Sequence, residues 1–259
     1  MTIKKLLLQD KSKPMFPDIL WSRPENKRYA GKLLIIGGNT SSFATVAQSY
    51  TSAVKARIGA VRIILPDKLA KIVSPILPEA EYSPSTPSGS FAQSGLAHWL
   101  ELADWADGVL IPGDLGKNSE TEILLESFVT KYTGLLTLAG DSVLESRASL
   151  KTMLHRQNTT IVCDIKLLQR IFTNAGLPTA ITSDMGLVSM ANALHEFTNK
   201  YPIAVLTNYE NSWLVAHSGQ VSVTKTEISL PDASSHGAVW WLQNPNKQFE
   251  ALTTAMLTP

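Results

Sequence analysis

The sequence predicts an α/β domain, with a mostly parallel central sheet, helices on both faces and a late antiparallel hairpin. Leu33-Leu34-Ile35-Ile36 is a short, wholly apolar run stopped by Gly37-Gly38-Asn39, as expected of a strand buried on both faces. Runs of this kind alternate with helical patterns through most of the chain, which implies right-handed crossovers in a parallel sheet. Toward the C-terminus the rhythm changes. Trp213 to Ala216 and Val221 to Thr224 flank His217-Ser218-Gly219-Gln220, the pattern of an antiparallel hairpin.

Taken in order, residues 1–30 mix charge and proline and read as an N-terminal extension preceding the first strand. Residues 31–259 read as a single domain. Small residues between 44 and 58 permit a helix, closed by Gly59, and 61–65 form a second apolar run. Residues 74–90 are rich in proline and serine and read as a surface loop. Strands are expected at 107–111, 134–138, 159–163 and 202–207. Helices are expected near 119–132, 147–156, 164–173 and 185–198. After the hairpin, 225–236 reads as polar and irregular, and two short helical segments finish the chain.

With 259 residues, 44% of them hydrophobic, the chain can bury one sizeable core. Lys and Arg number 23 against 22 Asp and Glu, a formal net charge of +1. Nothing in that balance favours nucleic acid or an anionic membrane as partner. The single cysteine, Cys163, excludes an intramolecular disulfide. Lys4 and Lys5 precede only Leu6-Leu7-Leu8, too short an apolar run for a secretory signal, and no segment is long enough to span a bilayer. A cytoplasmic location is the expectation.

The order of these pieces resembles the ADP- or ATP-dependent NAD(P)H-hydrate dehydratases, ribokinase-like enzymes that repair hydrated nicotinamide cofactors. The resemblance covers roughly residues 28–257. Arg28-Tyr29-Ala30-Gly31-Lys32 leading into Leu33–Ile36 and Gly37-Gly38-Asn39 looks like the family's opening, and Ala53–Ala60 fits its alanine-rich helix end. Leu77-Pro78-Glu79 resembles its short Pro-Glu motif. Asp107-Gly108-Val109-Leu110-Ile111-Pro112-Gly113-Asp114-Leu115-Gly116 is similar to the family's Gly-Val-Leu-Ile-Gly-Pro-Gly-Leu-Gly turn. Gly113 and Gly116 are retained there, while Asp114 stands at a glycine position. The resemblance implies a small-molecule ligand in the crevice, ADP or ATP with Mg²⁺ as cofactor, and a homo-oligomer.

The chemical positions depart from that pattern. The family carries Gly-Gly-Thr-Gly-Asp-Val-Leu at the start of a late helix, where glycine N–H groups hold an anion and the aspartate acts as base. The sequence reading sets Ser234-Ser235-His236-Gly237-Ala238-Val239-Trp240 against it, which puts Ala238 at the base. Thr207-Asn208-Tyr209 replaces a Lys-Gly-Ala used near the nucleotide phosphates. Val162–Leu167 replaces a histidine-bearing turn, and Ala139-Gly140-Asp141 keeps only the second aspartate of an Asp-Ala-Asp pattern. The expectation is an inactive or repurposed relative, binding a metabolite or partner, with weak or absent nucleotide affinity. The alternatives are an active dehydratase with a substituted base, Asp114 or Asp164 being the nearest candidates, or a small-molecule kinase.

The candidate binding positions are therefore Gly113, Gly116, Asp141, Thr207, Asn208, Ser235, His236 and Gly237. Asp141 and Asp164 also fit turn and helix-cap roles, and Glu210 joins them at strand ends. His98, His155, His195, His217 and His236 are scattered without metal-ligand spacing, so no metal site is expected. Cys163 lacks a recognisable histidine partner and reads as a buried structural thiol. Trp240-Trp241 reads as core, subunit contact, or filler of a vacated ligand site.

Overall fold

The computed structural model describes residues 6–77, 79–143 and 147–257. The chain opens with β1 (Leu7–Gln9) and α1 (Pro17–Trp21), then β2 (Lys32–Gly37) and α2 (Ala44–Lys55). β3 (Ala60–Pro66), α3 (Ala70–Val73), β4 (Ala80–Ser83) and α4 (Leu96–Trp105) follow. Next come β5 (Gly108–Gly113), α5 (Ser119–Lys131), β6 (Leu135–Ala139), α6 (Arg147–Leu154) and β7 (Thr159–Cys163). α7 (Ile165–Asn174) and α8 (Leu187–Lys200) lead to β8 (Ile203–Tyr209), β9 (Ser212–His217) and β10 (Gln220–Lys225). α9 (Leu230–Gln243) and α10 (Gln248–Ala255) close the described chain.

One ten-stranded sheet runs in the order β1-β10-β9-β8-β7-β6-β5-β2-β3-β4. From β4 to β8 every pairing is parallel, while β9 is antiparallel to both β8 and β10. The apolar strands divide their side chains between two cores, as strand pleating requires. Leu34 and Ile36 of β2, with Ile161 and Cys163 of β7, join the core under α4 to α8. Leu33 and Ile35 face α2 and the end of α9, and Val162 faces α9 and α10.

The expected class, the parallel strands and the late hairpin are all present. Four local readings are corrected. Leu7–Gln9, read as part of an extension, forms β1 and pairs parallel with β10. Ala80–Ser83, read as loop, pairs with β3. α4 has no counterpart in the sequence reading, although Trp99, Leu102 and Ala103 line its buried side at helical spacing. The stretch read as irregular to residue 236 becomes helix from Leu230, because Ser229 caps it and Pro231 occupies its first turn.

Arg156 fastens the opposite, amino edge of the sheet. Its guanidinium donates to the carbonyls of Val129 at 3.2 Å, Gly134 at 2.8 Å and Asn158 at 3.0 Å, and to Thr159 Oγ1 at 2.8 Å. Burial brings its pKa down to about 10, which leaves it charged at neutral pH. Arg156→Met is expected to cost about 2–3 kcal/mol, since a charged donor is lost and several carbonyls are left without a partner. Equilibrium unfolding in denaturant measures the loss.

Candidate functional site

The chain leaves β2 toward β3 on one side and β5 toward β6 on the other, so the sheet has its topological switch between β2 and β5. Ligands of open α/β sheets gather outside the carboxyl ends of strands at that point. Here the two strand ends approach very closely. A Cβ on Gly37 would lie 2.7 Å from the Gly113 carbonyl oxygen and 2.8 Å from Val46 Cγ2. Gly38 N–H donates to the same carbonyl at 3.3 Å.

Asp114 laces the two loops together. Its φ of +59° places it in the left-handed region, which an L residue enters at some cost. Asn39 Nδ2 donates to its carbonyl at 2.7 Å, while Ser42 Oγ at 3.0 Å and the Thr45 N–H at 2.9 Å donate to its carboxylate. The carboxylate therefore occupies the N-terminus of α2, where a helix favours an anion. Gly116 closes the turn at φ +74°, and a Cβ there would sit 2.8 Å from Ser90 Oγ.

Asp141 stands on the short turn Gly140–Ser142 that follows β6. A Cβ on Gly113 would meet its Oδ1 at 2.6 Å, and the φ of +116° at that position is one an L side chain rarely adopts. The side chain reaches solvent. Even so, the protein around it, and next the Asp114 carboxylate, push its pKa above the usual value. The N–H groups of Asp114 and Leu115, which face it, offset only part of that rise. Beside Asp141 lies a cleft of about 600 Å³, whose walls include Leu115, Lys117, Asn118, Glu122 and Leu125.

The other expected residues are dispersed. Asp164 is the N-cap of α7, accepting from Leu167 N–H at 2.7 Å. Thr207 is fully buried within β8, between Cys163 and Leu214 on the neighbouring strands, and Asn208 is half-buried opposite Trp213. Glu210 takes the left-handed turn between β8 and β9 at φ +52°. Burial, and then Asp164, push the Cys163 thiol up to about 12, so it is a poor nucleophile at neutral pH.

The late helix corrects the sequence reading most sharply. Ser235 is not at its start; its hydroxyl donates to the Pro231 carbonyl at 2.7 Å, one turn back. His236 is buried, and a Cβ on Gly237 would touch Leu252 and Leu206 side chains at 3.2 and 3.3 Å. Ala238 packs in the core with Leu33, Ile35 and Leu242. Trp240 and Trp241 are buried with Ile19, Trp213 and Phe249, and so belong to the core.

The aspartate in the first turn of α9 is Asp232, which the sequence reading passed over. The Ser-x-x-Asp pattern at 229–232, with Pro231 inside it, was the signal that marks such a helix start. Leu242 lies over Gly31 and Gly108, at the amino edge of the sheet. Asp232, ten residues earlier on α9, is about 15 Å further along, near the carboxyl edge. Ser229 Oγ donates to its carboxylate at 2.6 Å and Gln48 Nε2 at 3.3 Å, and Ser52 Oγ donates as well. Burial raises its pKa, but these three donors and the nearby His236 outweigh that and leave the carboxyl below its ordinary value.

Four helices that begin at this edge are thus capped by the chain's own side chains: α2 by Asp114, α5 by Asn118, α7 by Asp164 and α9 by Ser229. α8, entered through Gly186, has no side-chain cap. Among the described residues, no group of three or more His, Cys, Asp or Glu is placed to hold a metal ion, and no helix is long and apolar enough to cross a membrane.

No protein-family profile matches the chain, and no curated protein matches it in sequence. Solved structures do. A ribokinase-like superfamily protein from Enterococcus faecalis V583 superposes with a TM-score of 0.72 at 15% identity, covering 99% of this chain and 87% of its own. The ADP/ATP-dependent NAD(P)H-hydrate dehydratase from Bacillus subtilis, co-crystallised with ATP/Mg²⁺, gives 0.60 at 14% identity over 89% of this chain and 79% of that one. Phosphomethylpyrimidine kinase from Clostridium difficile 630 gives 0.56 at 13% identity, over 87% and 97% respectively. The fold is ribokinase-like.

The raised pKa of Asp141 has a definite sign. Its ionised form is disfavoured in the folded state, so stability falls as pH rises from the usual carboxylate value through the raised one. Asp141→Asn is expected to raise the melting temperature at neutral pH, with the gain vanishing below the ordinary carboxylate range. Thermal unfolding of both proteins across pH checks it.

Proposed function

We propose that this ribokinase-like protein is a repurposed relative of the nicotinamide-hydrate dehydratases and kinases, one that binds a small metabolite lacking phosphate groups. The observation that carries the reading is the internal capping of the carboxyl edge. A phosphate seeking the N-terminus of α2 would have to displace the Asp114 carboxylate, which holds the Thr45 N–H and Ser42 hydroxyl. Asp141 adds a second negative charge close by. The buried Thr207 supplies no cation where the resemblance calls for one. The cleft beside Asp141, with apolar walls at Leu115 and Leu125, is the place for such a ligand.

ADP and ATP with Mg²⁺ therefore do not fit this edge well. Calorimetric titration is expected to show no saturable binding of either nucleotide up to about 1 mM. A low-micromolar constant would sink the reading.

Asp232 favours one rival, an active ADP- or ATP-dependent dehydratase or kinase. It is the carboxylate in the first turn of the late helix, the place where the resemblance expects a general base. Against it, Ser229, Ser52 and Gln48 already donate to that carboxylate and weaken it as a base. The two readings separate in one assay. The purified chain is expected not to regenerate NADH absorbance from its hydrate in the presence of ADP. ADP-dependent recovery that Asp232→Asn lowers by about 10²–10⁴-fold would establish the rival.

A further inference from the structure

Polar groups also converge at the amino edge of the sheet. α6, α7 and α8 all end there, close to the strand ends that Arg156 fastens. Between the three helix ends lies a cavity of about 320 Å³. Its floor is apolar, made by the buried Leu150, Leu154 and Tyr201. Lys151, His155 and Lys200 stand exposed around it. α7 supplies Asn174 and Ala175, so among the described residues no carboxylate lines the cavity.

The three basic groups are close together. Lys151 and His155 are one turn apart at the end of α6, and His155 Nδ1 donates to the Lys151 carbonyl at 2.8 Å. Nδ1 therefore carries the hydrogen, and Nε2 remains for another partner. The Tyr201 ring and the imidazole meet edge to face at 5.4 Å between centroids, and Lys200 Nζ lies 5.2 Å from the centre of the same ring. Among the described residues, none of the three basic groups makes an ion pair. The helix ends balance some of this charge, at about half a unit each. Lys151 and Lys200 answer α6 and α8, whose last turns they occupy, while α7 has no basic residue there. Two lysines still outweigh three helix ends, and a protonated His155 widens the margin. We propose that this cavity is a ligand site separate from the cleft beside Asp141, and that it takes a small carboxylate with an aromatic or apolar body. The body lies on Tyr201 and the two leucines, and the carboxylate accepts from the two ammonium groups. His155 joins them through Nε2 when it is protonated, so the anion is taken up together with a proton.

Ligand-observed NMR titration of the full chain tests this, with benzoate as the probe and benzamide, its neutral isostere, as control. Benzoate is expected to saturate one site with a constant of about 1 mM or tighter, as suits so small a ligand. Benzamide is expected to bind about 10-fold more weakly or not at all, since it offers the ammonium groups no charge. Lys151→Gln and Lys200→Gln are each expected to weaken benzoate by about 5-fold or more. All three side chains are exposed, and a melting curve verifies the fold of every variant. Wild-type affinity is expected to rise about 3-fold or more between pH 8 and pH 6, and His155→Gln to abolish that rise. No saturable benzoate binding below about 20 mM overturns the proposal. So does benzamide binding as tightly as benzoate, or benzoate binding that none of the three variants changes.

Discussion

The carboxyl edge of this sheet is organised by a contact in which side chains are missing. β2 and β5 pair in register through Ile35 and Leu110, then shift so that Gly37 lies opposite Gly113. A methyl group on Gly37 would overlap the facing carbonyl and Val46 at once, so the two strand ends close only because Gly37 carries no Cβ. That closure sets Asp114 within reach of Asn39, Ser42 and Thr45, and with them the start of α2. α2 in turn meets α9 through Gln48 and Ser52, which hold Asp232. The strand contact and the two capped helices form one chain of dependence.

On the proposed reading, electrostatics decides what the edge accepts. A carboxylate capping a helix contributes about 0.5–2 kcal/mol, a modest amount that a phosphate could replace. Repulsion is the larger effect. Two like charges a few ångströms apart near a protein surface oppose one another by about 4 kcal/mol, and a diphosphate would face both Asp114 and Asp141. In a site that greets phosphate, lysine and free glycine N–H groups would reverse that sign. The raised pKa of Asp141 has burial as its first cause and the Asp114 carboxylate as its second, so that neighbour already disfavours another negative charge there.

The parallel strands were legible because a strand buried on both faces must be apolar throughout, and Leu33–Ile36 has no other use for such a run. Gly113 and Gly116 were legible as tight turns for a similar reason. The register of α9 was not. Burial is continuous from Ala233 to Leu242 although Ser234, Ser235 and His236 are polar, so apolar periodicity does not mark where the helix begins. Only Ser229, Pro231 and Asp232 carry that information, and they resemble a loop until the cap is recognised. β4 and β1 were hidden differently: four and three residues are too few to display alternation, and their partners lie in β3 and β10.

The pairing of β1 with β10 joins segments far apart in the sequence. Gln9 Nε2 donates to the Thr253 carbonyl at 2.8 Å across 244 positions of sequence, and Leu7 pairs with Ser222. A contact of such long range pays its loop-closure entropy before it returns any stabilisation, which disfavours its forming early. Until it forms, β10 presents an open row of backbone N–H and C=O groups to any passing strand. β1 thus acts as a latch on that edge, and a molecule in which it has not docked is more open to strand-to-strand aggregation.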